Sequence, residues 1–97
     1  MLHIINKSPY DRPALDSVLK TGEGVILLIE DGVYAAVRGG VAEAKVNAAQ
    51  GKFKFYALTP DIEARGMADR VIEGVTQVDY AGFVDLVAEN KTSQSWL

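Results

Sequence analysis

Short apolar runs alternate with charged or glycine-containing breaks along this chain, and the sharpest transition lies at 24–33, GVILLIEDGV. Five consecutive apolar residues, 25–29, stop abruptly at Glu30-Asp31-Gly32. A run this short, rich in β-branched residues and leucine, predicts a strand covered on both faces, the habit of a parallel sheet between helices. Tyr34-Ala35-Ala36-Val37 is placed to open a helix beyond it. Taken alone, Asp31-Gly32 reads as a tight turn with glycine at positive φ. It also falls at the carboxyl end of the strand, where open α/β sheets meet ligands and partners. That edge is the first place to look for function.

The same patterning orders the rest of the chain. Residues 2–6, LHIIN, form a first strand ended by Ser8-Pro9, and the His3 inside it is expected to be packed and hydrogen-bonded rather than catalytic. Ser8 or Asp11 is placed to cap a helix over 13–20, with Pro13 in its first turn and Ala14, Leu15, Val18 and Leu19 at helical spacing. Helical patterning over 33–49 is split by Gly39-Gly40; its second piece, 41–50, offers Val41, Ala44, Val46 and Ala48 for packing. No phosphate-binding glycine pattern accompanies that pair. A third strand spans 52–58, KFKFYAL, followed by a helix with Thr59 as cap and Pro60 at its first position. A connector over 67–74, a short strand over 75–80 and an amphipathic helix over 81–90 follow, the last with Phe83, Val84, Leu86 and Val87 facing inward. The tail, 91–97, is polar until Trp96-Leu97. Trp96 calls for burial, as part of a short edge strand on this domain or against another subunit. The alternation implies the α/β class: one domain over 1–97, three layers α/β/α, with a mostly parallel sheet of four to five strands and right-handed crossovers.

Composition narrows the function. Ninety-seven residues suit one domain, with a radius of gyration of roughly 13 Å and an accessible surface of roughly 5,400 Å². Two contacts of about 800 Å² each would cover nearly a third of such a surface. A net charge of −3 argues against a basic nucleic-acid-binding face, and Lys52 and Lys54 among aromatics are explained by strand alternation. No apolar run approaches the ~20 residues of a membrane span, and the start, MLHIINKS, lacks the pattern of a secretory signal, so a cytoplasmic protein is expected. There is no cysteine and only one histidine. That removes thiolate chemistry, and neither a metal site nor a cofactor is expected.

Four segments in order, LHIINKSPY, EDGVYAA, YAL-P-D-ARG, and VDYAGFVDL with the closing SWL, resemble the TusB/DsrH family over nearly the whole chain. The resemblance is closer to the DsrH branch. It implies a DsrE/DsrH-like, Rossmann-like fold and a heterohexamer with DsrE/TusD-like and DsrF/TusC-like sister subunits. In such complexes a persulfide is handed between cysteines of successive carrier proteins, toward 2-thiolation of the tRNA wobble uridine or alongside dissimilatory sulfur oxidation. The resemblance also implies a cysteine in the first helix at the position held here by Val18, which cannot carry sulfur. A non-catalytic subunit follows, one that shapes a sister chain's site. Its candidate residues are Asn6, Lys7, Ser8, Asp31 and Gly32 on the carboxyl edge, with Trp96 at the tail. The alternatives are a stand-alone homo-oligomeric domain, or a small-molecule enzyme built on His3 and Asp31 with Ser8, whose spacing marks no triad.

Overall fold

The computed structural model describes residues 1–96; Leu97, half of the apolar tail pair, lies outside the described residues. Five parallel strands, β1 (Leu2–Ile5), β2 (Gly24–Leu28), β3 (Phe53–Leu58), β4 (Thr76–Val78) and β5 (Ser93–Trp96), form one sheet in the order β4-β3-β2-β1-β5. β2 lies at the centre, as its uninterrupted apolar run predicts. Its register places Leu27 between Ile4 and Tyr56, and Leu28 between Ile5 and Ala57.

From β1 to β4 the chain steps across the sheet in one direction, and right-handed crossovers then require all the intervening helices to lie on one face. These are α1 (Ala14–Leu19), a 3₁₀ helix (Glu30–Ala36), α2 (Glu43–Ala49) and α3 (Thr59–Ala64). Leu15, Val18, Val33, Ala36, Val46 and Ile62 from these helices pack with Ile5, Ile26, Leu28, Phe53, Phe55 and Ala57 in the larger core. The step from β4 to β5 reverses direction, so its helix, α4 (Tyr80–Glu89), lies on the opposite face over Leu2 and Leu27 through Leu86. The result is three layers of unequal thickness.

Several elements differ from expectation. The helix after β2 begins at Glu30 rather than Tyr34 and is 3₁₀ throughout. The positive φ expected at Gly32 falls instead on Glu30, at +49°. Gly32 is glycine for another reason: a Cβ there would collide with the Ile5 carbonyl oxygen and come within 2.9 Å of Ile5 C. The break at Gly39-Gly40 is present, with Gly39 at φ +78°. On α2 only Val46 is buried, while Val41, Ala44 and Ala48 are exposed, because the short helix meets the core along one line. α1 and α3 have no side-chain caps, so neither Ser8, Asp11 nor Thr59 plays that part. Asp79 does cap α4, accepting from Gly82 N–H at 2.9 Å. Of the four residues expected to face inward on α4, Leu86 is buried and Phe83 half-buried, but Val84 and Val87 are exposed. The connector is also more ordered than its composition suggested. Val71 bridges Val37 in antiparallel fashion, Arg38 N–H donates to Arg70 O, and Met67 and Ile72 are buried.

Candidate functional site at the carboxyl edge

Beyond the ends of β1 and β2 the backbone makes a tight fold. Ile29 N–H donates to Ile5 O at 3.0 Å, and Gly32 N–H donates back to Ile29 O at 2.8 Å. With no side chain, Gly32 lets the 3₁₀ helix run directly beneath the β1 terminus, in reach of Asn6. The Asn6 Oδ1 is buried and has no hydrogen-bond partner among the described residues. Lys7 next to it is exposed, whereas Ser8 is buried with its hydroxyl oxygen accepting from Tyr10 N–H at 3.1 Å. Ser8 is thus spent on a turn, its hydroxyl and carbonyl oxygens accepting from Tyr10, Asp11 and Arg12 N–H.

Asp31 projects from the first turn of the 3₁₀ helix and meets Arg65, which the sequence did not mark as a site residue. Arg65, just past α3, donates from Nε and Nη2 to Asp31 Oδ1 at 3.1 and 2.8 Å, and from Nη1 to Asp61 O at 3.1 Å. Its guanidinium carbon lies 5.8 Å from the centre of the Tyr34 ring, within cation–π range. The Asp31 hydrogen bond, against a smaller opposing effect of burial, raises the Arg65 pKa above its ordinary value. Asp61 closes the cluster by accepting from Glu30 N–H at 2.7 Å; Glu30, at φ +49°, is the one non-glycine residue with positive φ among the described residues. The available signal was the spacing of Asp61 and Arg65, four apart at the start and end of one short helix. The edge is therefore charged, with two carboxylates, Asp31 and Asp61, against one guanidinium.

His3 and Trp96 form a separate pair at the other side of β1. Trp96 N–H donates to His3 Nδ1 at 3.1 Å across the β1–β5 pairing, with ring centres 6.0 Å apart. His3 is 2% exposed. Burial first, and the N-terminal charge second, lower its pKa below 6.5. Trp96 thus takes the edge-strand option. His3 and Asp31 are not brought together: one is sealed in the sheet against Trp96, the other lies on the surface against Arg65. Between β5 and α1 lies an open cleft of about 300 Å³, lined by Arg12, Pro13, Ala14, Ser17, Ser95 and Trp96. Val18, beside Ser17, points away from it and is completely buried.

The model of the DsrH-like protein family matches residues 7–93. Protein TusB of Pectobacterium parmentieri is 38% identical over 98 residues, covering 99% of this chain and all of that protein. TusB of Escherichia coli O81 (strain ED1a) is 37% identical over 99 residues, with the same coverage. Two solved structures share the fold: the ychN protein of Escherichia coli, with a TM-score of 0.82 at 14% identity over 98% of this chain and 97% of that one, and a protein of unknown function from Methanobacterium thermoautotrophicum, with a TM-score of 0.78 at 20% identity over 98% and 96%.

Proposed function

The chain belongs to the DsrH-like family, and from that membership we propose that it is a non-catalytic subunit of a cytoplasmic sulfur-relay complex. The observation that carries this reading is the combination of a full-length match to TusB with the absence of any cysteine. A persulfide relay needs a thiolate at each station, so sulfur must pass through other chains. These are the DsrE/TusD-like and DsrF/TusC-like sisters, in a heterohexamer with two copies of each subunit. The TusB relatives favour delivery to the tRNA wobble uridine over sulfur oxidation. Within the complex this chain offers the carboxyl edge, with Asn6, Lys7, Ser8, Gly32 and the Arg65-paired Asp31, and the Trp96 end of β5, as walls for a sister's cysteine. A small-molecule enzyme built on His3 and Asp31 is disfavoured by their separate partners.

The test is a sulfur-loading assay. The chain, its two sisters and a persulfide-bearing donor protein are mixed, and each subunit is weighed by mass spectrometry. One sister should gain 32 Da, this chain should gain nothing, and omitting this chain should slow the loading at least tenfold. Sister loading that is indifferent to this chain's presence would refute the proposal.

A further inference from the structure

The sheet presents two unequal faces. Five strands spaced about 4.8 Å apart span roughly 20 Å or more, and one helix with its side chains covers about 10 Å of that. On the α4 face Ile4, Val25, Ile29, Tyr56 and Val78 are only half-buried, while Ile26, Leu28, Phe55 and Ala57 on the other face are fully buried. The apolar surface of α4 is in turn wider than its contact with the sheet. Tyr80, Val84 and Val87 fall at i, i+4 and i+7, on a flank beside Phe83 and Leu86, and are 63%, 64% and 41% exposed. One exposed aliphatic residue needs no explanation; a helical stripe of three beside a half-covered sheet does.

The charges around the stripe select its occupant. Asp79, Asp85 and Glu89 lie on or cap α4, and the helix itself carries no lysine or arginine. Lys54, which shares this sheet face, and Lys91, just past α4, lie toward the Val87 end of the stripe, so its rim is acidic chiefly around Tyr80 and Val84. A second copy laid on the stripe would bring carboxylates against carboxylates, in a chain already at −3. Like charges facing each other oppose such a contact. We infer that the Tyr80–Val84–Val87 flank of α4 is a docking surface for a different protein chain, whose contact patch is apolar and rimmed with lysine or arginine. The inference rests on the subunit reading above and assigns it a surface; Tyr80 is the aromatic anchor such contacts favour.

The experiment uses the full chain co-expressed with its two sister subunits and weighed by native mass spectrometry. The double variant Val84→Glu/Val87→Glu changes only exposed positions, so its circular dichroism and melting should match the parent. Its share of assembled complex should fall at least tenfold. Asp85→Lys should weaken assembly and reduce its sensitivity to salt, while Ala48→Glu, on exposed α2 in the other layer, should assemble normally. Normal assembly of the double variant would overturn the surface and leave the subunit reading standing. Equal loss from Ala48→Glu would overturn its assignment to α4. A parent chain that binds neither sister would overturn the subunit reading and this inference together. Self-association of the parent, abolished in the double variant, would replace the foreign partner with a second copy.

Discussion

At Gly32 an added methyl group would meet the Ile5 carbonyl oxygen, which already accepts from Ile29 N–H at 3.0 Å. Neither the carbonyl nor the 3₁₀ helix can retreat without breaking that pairing, so Gly32→Ala should cost about 2 kcal/mol, in the range of overpacked sites, measured by urea denaturation. His3 makes a prediction with a sign. Its folded pKa lies below 6.5, so between those two values the unfolded chain binds the extra proton. Stability is then fully present above pH 6.5 and is lost as pH falls through 6.5 toward the depressed value. Protonation would also remove the acceptor that Trp96 uses. Urea midpoints should therefore fall between pH 7.5 and pH 5, and the fluorescence of the only tryptophan should shift with them. His3→Gln should flatten both; an unchanged slope in that variant would place the titration elsewhere. At Val18, complete burial among apolar neighbours raises a thiol's pKa and blocks reagents. Val18→Cys should react with iodoacetamide at neutral pH far more slowly when folded than in urea, and fast folded-state labelling would mean a displayed, activated position.

At the level of elements, the three central strands were legible because each apolar run is short and bounded; the tail left an edge strand and a subunit contact equally open for Trp96, and the structure pairs it, in β5, beside β1. Trp96→Ala removes much of that strand's anchoring and orphans His3 Nδ1, at an expected cost of about 2–3 kcal/mol. Trp96→Phe keeps most of the ring's contact but not its N–H, and should recover roughly half of the loss. Equal melting of all three proteins would show that β5 contributes nothing. Helix faces were less legible. Periodicity marks which side of α4 is apolar, but Val84 and Val87 turned out exposed because the chain reverses direction only once, leaving one helix on that face. An apolar arc meant for a core and one meant for a partner have the same period. Asp31-Gly32 does lie just past the carboxyl end of β2, but the residue that pairs with Asp31 was not legible. Arg65 stands 34 residues from Asp31 in the chain, and only the pairing of β2 with β3 brings the start of the 3₁₀ helix beside α3.

The whole molecule has an accessible surface of 5388 Å², close to the roughly 5,400 Å² of a compact monomer of this length, and a radius of gyration of 11.9 Å. No extended arm is present among the described residues, so the proposed contacts fall on its faces. Two regions suit that purpose by different physics. The carboxyl edge is polar, with Arg65 tying Asp31 to α3; the α4 flank is apolar with acidic residues at Asp79, Asp85 and Glu89. They lie on different parts of the fold, one at the ends of β1 and β2, the other along the helix that covers the second sheet face. A chain with two distinct contact regions can join two different neighbours at once, which is what a closed assembly of unlike subunits requires. At about 800 Å² per contact, both together would take nearly a third of the surface, a large share for so small a domain. The expected outcome is that the chain purified with both sisters runs as a heterohexamer with two copies of each, and that Asp31→Ala and Val84→Glu weaken it separately. Asp31→Ala leaves Arg65 its bond to Asp61 O and should cost the isolated chain no more than about 1 kcal/mol, because the Asp31 carboxylate is 55% exposed. A loss of assembly beyond that cost would therefore report on the edge itself. Native mass spectrometry across salt concentrations separates the two contacts. The α4 contact should lose its electrostatic part as salt rises while keeping its apolar part, and the edge contact should weaken more steeply. A chain that stays monomeric at micromolar concentration with both sisters present would rule out the assembly and leave a free-standing domain.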